Sequence, residues 1–255
     1  MSAFEASTSM IDIESHMETQ HGGACAGFLR NIIYGGVDGA ITTFAIVTAS
    51  YAAGLSVKTI LVLGFSNLLA DGFSMGFGDY ASSYSERDLY LTERGKESKE
   101  HEDNPEFEKR ELVQFYLQRG VSQEDSESIV NVLFKYKEPF VDHMMLLEFN
   151  MSAPDDTREI LHKAMTTVMS FYVFGFFPLL VYILAECIGF RNKDFIFASC
   201  TFTCATTLFC IGALGAYISK RPIVSGGLVT LTNGALASGL AYLIGYSLDL
   251  LLNSN

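Results

Sequence analysis

Between Gly35 and Asp79 the chain reads GGVDGAITTFAIVTASYAAGLSVKTILVLGFSNLLADGFSMGFGD. The stretch is apolar enough for two membrane-crossing helices, yet it holds Asp38, Asn67, Asp71 and Met75. An ionised side chain at the centre of a bilayer helix costs at least about 2.5–3.5 kcal/mol on insertion scales, so such groups face a cavity, a partner or an ion. At the helical angle of about 100° per residue, Asn67, Asp71, Ser74, Met75 and Gly78 fall on one face. Asp38 and Thr42 share a face of the preceding helix. Carboxylate oxygens and a thioether along one path suit a divalent transition metal, because the carboxylate supplies charge and sulfur disfavours magnesium and calcium. The plainer reading has Asp38 or Asp71 capping or pairing within the bundle and Met75 packing against its neighbours.

A second constellation follows the apolar stretch. Glu97 and Glu100 are three apart, as are Glu108 and Glu111, and Met144, Met145 and Glu148 sit within about one turn. On helices each group projects from one face. Carboxylates gathered in this way repel one another unless cations bridge them. A solvated acidic face is the plainer alternative. His101 and His143 stand nearby, and each alone reads as a surface residue.

These side chains need elements to hold them. The chain has 255 residues, 49% hydrophobic and 18% charged, with a net charge of −12. Most acids lie between Glu86 and Glu159, and apolar blocks flank that segment. The acidity argues against nucleic acid, which needs a basic footprint, and suits cations. Five stretches reach the roughly 20 apolar residues that a spanning helix needs: about Asn31–Tyr51, Thr59–Tyr80, Ala164–Ile188, Phe195–Ser219 and Ile223–Leu248. The pattern therefore predicts an all-α polytopic membrane protein, with a disordered arm over 1–29, spans one and two in 30–85, a helical insert in 86–163 and spans three to five in 164–255. Within the insert, Pro105 starts a helix through Gln118, Ser122 caps one to about Lys137, and Pro139 opens one to about Asn150. The last span is rich in small residues and is expected to pack as a central helix. Four of the five cysteines lie in apolar blocks and no Cys-x-x-Cys occurs, so no zinc-finger site is expected. Lys and Arg concentrate at one set of span ends (Arg30, Arg87, Arg94, Arg158, Lys163, Lys220 and Arg221), which predicts a cytosolic N-terminus and insert and a lumenal C-terminus.

The segments IIYGGVDGAITTFA, SMGFGDYASSYSERDLY, DHMMLLEFNMSAPD and FGFFPLLVYI, in this order and spacing, resemble the vacuolar iron transporter family. The resemblance covers almost everything after residue 28. It implies five spans with a cytoplasmic helical metal-binding domain, a homodimer with the ion path between first and second spans, and proton-coupled export of Fe2+ from the cytosol into a vacuole or other acidic endomembrane store. By the resemblance, Asp38 and Met75 are the transmembrane metal ligands. Glu97, Glu100, Glu108, Glu111, Met144, Met145 and Glu148 form the cytoplasmic metal cluster. One departure stands out: family members carry Glu in the second span where this chain has Asn67. Asp71, one turn on, is the candidate substitute, which leaves Asn67, Asp71 and Thr42 as the expected proton or ion path. No prosthetic group and no covalent catalysis are expected. The rival readings are a broader Mn2+ or Zn2+ exchanger on the same scaffold, and a membrane-bound metal enzyme or sensor.

Overall fold

The computed structural model describes residues 22–253, with side chains described from 27 to 252. Eight helices account for these residues, and no strand occurs among them. We number them α1 (Gly22–Ala52), α2 (Val57–Asp103), α3 (Pro105–Gln118), α4 (Gln123–Leu133), α5 (Lys137–Leu147), α6 (Thr157–Ile188), α7 (Lys193–Ile218) and α8 (Ile223–Asn253). Five of them, α1, α2, α6, α7 and α8, are long and apolar enough to cross a membrane. The arm expected over 1–29 lies mainly outside the described residues, and its last part, from Gly22, belongs to α1.

The chain divides into two compact units, one made of residues up to Asp79 with those from Leu161, the other of Tyr80–Ile160. Helix α2 contributes residues to both. It contains no proline, and neither Gly78 nor Gly95 interrupts it. At about 1.5 Å per residue its 47 residues extend roughly 70 Å.

In the spanning unit the core comprises Ala40, Phe44 and Val47 of α1, Ile60 and Leu68 of α2, Phe171 and Leu179 of α6, and Cys200, Cys204 and Leu208 of α7. Glycine sets how closely the helices approach. A Cβ at Gly39 would lie 2.3 Å from the Phe171 carbonyl oxygen, and one at Gly72 would lie 2.2 Å from the Tyr172 ring. Thus α1 and α2 both press on α6 at positions where only a hydrogen fits. The last span is not central. It docks through glycines, with Gly245 against the Ala49 carbonyl oxygen and Gly226 against Ala216. Only 11% of its apolar window is buried, the smallest share of the five spans. Its small residues form one docking seam, and Leu236, Leu240 and Leu243 on the remaining surface are exposed.

The insert builds its own core. Leu112 and Val113 of α3, Val130 of α4 and Phe140 and Met144 of α5 form one cluster. Tyr90 of α2 with Val141 and Met145 of α5 forms a second. Each fully buried side chain of this size contributes about 1.5–3 kcal/mol relative to exposure. Local signals set the boundaries. Pro105 stands at the start of α3, where its missing N–H is no loss. The Ser122 hydroxyl accepts from the Asp125 amide at 3.2 Å and caps α4. Gly120 takes φ +87° in the intervening turn. Helix α4 stops at Leu133, earlier than expected, because 134–136 turn to place Phe134 against Phe140. Helix α5 begins two residues before Pro139 and stops at Leu147 rather than near Asn150, which takes φ +53°.

Candidate functional site

The spanning candidates lie beside the glycines that dock α1 and α2 on α6. Asp38 precedes Gly39 and Asp71 precedes Gly72, so the tight packing at each glycine fixes the height of the neighbouring carboxylate. Asn67 donates its amide N–H to Asp71 Oδ2 at 2.7 Å, which joins two of the candidate path residues on one face of α2. Thr42 donates its hydroxyl to the Asp38 backbone carbonyl at 2.8 Å. Its donor is therefore used within α1, and only its oxygen lone pairs remain for a ligand. Met75 is partly buried against the core of the spanning unit. Asp38 itself is exposed on the single chain, although it lies in a spanning helix.

One acid of this unit escaped the sequence reading. Asp79, four residues after Met75, is partly buried and accepts from the Thr167 hydroxyl of α6 at 3.2 Å. The signal for it is its position, an ionisable residue at the end of a spanning segment and in helical register with Asp71 and Met75.

In the insert the glutamates converge. Glu97 from α2 and Glu108 from α3 are 5% and 1% exposed, respectively, although carboxylates are almost never so buried without a partner. Glu97 Oε2 and both carboxylate oxygens of Glu108 make no hydrogen bond. Burial, then the charges of Glu148, Glu108, Glu100 and Glu111, push Glu97 from the usual 4.5 up to about 8. Burial, then Glu100, Glu111 and Glu148, push Glu108 up to about 7. Glu148, at the C-terminal end of α5, is raised first by burial and then by Glu111, Glu100 and Glu93. All five candidate glutamates thus act on one another, and Glu93 joins them. Its spacing of four and seven residues before Glu97 and Glu100 is the helical signal that would have found it.

The ion pairs of the insert leave Glu97 and Glu108 without a cation. Arg94 is taken up by Glu138 and by Asp142, the latter at 2.9 Å. Lys96 pairs with Glu93, Lys109 with Glu106 and Lys137 with Glu102. A buried carboxylate with neither a cation nor a hydrogen bond is among the costlier arrangements in a protein, and it is relieved by a proton or a metal ion. As the side chains stand, no three His, Cys, Asp or Glu among the described residues form a tight metal clasp.

Met144 and Met145 are wholly buried. Met144 packs in the cluster of Leu112 and Phe140, Met145 in that of Tyr90 and Val141. Each serves a core in addition to standing within one turn of Glu148, whose amide donates to the Met144 carbonyl at 2.9 Å. His143 is engaged by the Tyr116 hydroxyl at 2.7 Å, and burial lowers its pKa, which favours the neutral ring. His101 stacks on Phe134 at 4.1 Å between ring centroids.

The sequence profile of the VIT family matches residues 29–246. A vacuolar iron transporter of Toxoplasma gondii is 35% identical over 240 residues, which cover 92% of this chain and 79% of that protein. One of Plasmodium falciparum is 33% identical over 221 residues, covering 85% and 81%. Vacuolar iron transporter 1 of Arabidopsis thaliana is 32% identical over 215 residues, covering 84% and 83%. Five spans, polar residues in the first two and an acidic helical insert between the second and third agree with a match that runs through nearly the whole chain: the protein belongs to the VIT family, the family of these vacuolar iron transporters.

Proposed function

We propose that this protein transports Fe2+ out of the cytosol into a vacuole or related acidic endomembrane store, in exchange for protons. The observation that carries the reading is the polar face of α2 inside the spanning unit, where Asn67 is hydrogen-bonded to Asp71 one turn before Met75, together with Asp38 on the neighbouring α1. A carboxylate in a low-dielectric setting is stabilised by a cation or a proton. Metal and proton then compete for one position, and that competition is the essence of exchange. Met75 adds a soft ligand on the α2 face, and Asn67 holds Asp71 by its amide. Asp71 takes the part played elsewhere in the family by the carboxylate that Asn67 replaces.

The insert supplies the loading step. With Glu97 titrating near 8 and Glu108 near 7, both carry protons for much of the time at neutral pH. An arriving Fe2+ displaces those protons, because metal ligands must be deprotonated to bind. Glu100, Glu111 and Glu148 complete the charge, with Met144 and Met145 as the softer candidates. The ion then passes to Met75 and Asp38.

The working unit is a homodimer. Asp38 is exposed on a spanning helix of the single chain, and a charge facing hydrocarbon is costly. A second copy placing its own first and second spans opposite would cover it. The bias of Lys and Arg towards one set of span ends supports a cytosolic insert and a lumenal C-terminus.

The deciding experiment is anaerobic Fe2+ uptake by liposomes containing only this protein, with and without an acidic interior. Uptake that speeds with the proton gradient and acidifies the metal-donor side supports the reading. Metal binding without net flux would point to a sensor or enzyme instead. Competition by Mn2+ and Zn2+ in the same vesicles defines the breadth of substrate.

A further inference from the structure

A cavity of about 800 Å3 lies between α1, α7 and α8, and Asp38, Asn67, Asp71 and Met75 are not among its described lining residues. Arg30, at the start of the first span, and Arg221, in the turn between α7 and α8, line its outer part with Ser219 and Ser225. Val37, Gly212 and Val229 line it up to about two helical turns further along the spans, which at 1.5 Å per residue is on the order of 10 Å. One end is thus cationic and rich in hydroxyls, and the other is aliphatic. No Asp or Glu is among the described lining residues, in a chain whose net charge is −12.

Both arginines are available. Among the described residues, neither has a carboxylate within ion-pair distance. Arg30 is steadied by the ring of Tyr34, 5.8 Å from guanidinium carbon to ring centroid. The N-terminus of α8 opens onto the same place with no acidic residue in its first turn. Its unpaired amides and the helix dipole add to the positive field. A metal cation would be repelled here and would find no carboxylate or thioether.

We propose that this cavity is a binding site for a phosphate group, that of an anionic phospholipid. The phosphate sits between Arg30 and Arg221, and an acyl chain lies along the aliphatic wall of α1, α7 and α8. Basic pockets between spanning helices at a membrane face are suited to such headgroups. Arginine, with its planar fork of donors, holds phosphate in two-point contact. The apolar inner wall favours a lipid over a free anion, and the position at the span ends matches the depth of a headgroup. The proposal does not depend on which ion the protein transports.

The test uses the full-length protein in uncharged detergent. Binding of dioctanoyl phosphatidic acid is measured by native mass spectrometry and by thermal shift, against dioctanoyl phosphatidylcholine and inorganic phosphate. Wild type should take up phosphatidic acid saturably, and the Arg30→Gln/Arg221→Gln double variant should bind it roughly thirtyfold more weakly, the loss expected for two interfacial cations. A control variant, Lys58→Gln/Lys193→Gln, at the other end of the spans, should bind as wild type does. Both arginines are exposed, so the double variant should melt as wild type does without lipid. Should it not, Val229→Phe provides a second route, since it narrows the inner wall and leaves the charges in place. It should weaken phosphatidic acid and spare inorganic phosphate. If inorganic phosphate alone gives the full shift and displaces the lipid, the phosphate site stands and its source is soluble. Equal binding of phosphatidic acid and phosphatidylcholine, or equal affinity in wild type and the arginine variant, would overturn the proposal.

Discussion

The buried glutamates of the insert make metal-free stability depend on pH, with a definite sign. In the unfolded chain Glu97 and Glu108 titrate near 4.5, and in the folded insert near 8 and 7. Between these values the folded state holds more protons than the unfolded one, so stability falls as pH rises. The stabilisation is fully present below about pH 4.5 and is lost as pH passes through 7 to 8. At about 1.4 kcal/mol per pH unit, a carboxyl moved from 4.5 to 8 has an upper limit near 5 kcal/mol. The two groups repel each other, so their contributions do not add. Solvent reaching their charged neighbours screens part of the effect. We expect a loss of about 3 kcal/mol between pH 5 and pH 9 for the metal-free insert. The Glu97→Gln/Glu108→Gln variant keeps the shape and cannot ionise. It should flatten the curve, match wild type at pH 5 and exceed it at pH 9. The assay is hydrogen exchange of α3, α4 and α5 in the full-length, chelator-treated protein, corrected for intrinsic exchange, which reads the free energy of local opening. Saturating Fe2+ or Mn2+ should reverse the slope in wild type, because metal binding gains as protons leave. A flat metal-free curve in wild type, or an unchanged slope in the double Gln variant, would refute the claim that these two carboxyls carry the cost.

Asp38→Asn should abolish Fe2+ flux in proteoliposomes while leaving the gel-filtration profile and melting temperature unchanged, since it removes a charge from a spanning helix; wild-type flux would mark Asp38 as structural. Met75→Leu conserves volume and removes sulfur, so Fe2+ uptake at low concentration should slow while thermal stability moves by less than about 1.5 kcal/mol. Asp71→Asn should weaken the dependence of flux on the pH gradient more than it weakens metal binding; normal proton coupling in that variant would assign the exchange to Asp38 alone. Gly39→Ala forces a Cβ to 2.3 Å from the Phe171 carbonyl and should cost about 1–3 kcal/mol by parting α1 from α6, measured as a lower melting temperature; an unchanged one would show that the helices can separate freely.

The order and nature of the helices were legible in the chain because hydrocarbon imposes a length and a composition on anything that crosses it. Runs of about 20 apolar residues announce themselves without any partner. The same holds for Pro105 and Ser122 in the insert, which act on the backbone within one turn. The periodicity of Asn67 and Asp71 was equally local, and the hydrogen bond between them follows from one helical turn. Other features depend on what lies across the gap between helices, which spacing along one helix does not record. Small residues in the last span signalled close packing but not on which side, and the fold uses them as one seam on α1 and α7. The glycines beside Asp38 and Asp71 permit close approach, but only the tertiary structure names α6 as the surface approached. The acidic groups of the insert read equally well as solvated faces. Their burial was decided by the folding of α3 and α5 against α2, which withdraws Glu97 and Glu108 from water while the nearby lysines and arginine pair with other acids. A charge pattern is a one-dimensional record, whereas desolvation is a property of what surrounds the charge, and only the packed insert supplies those surroundings.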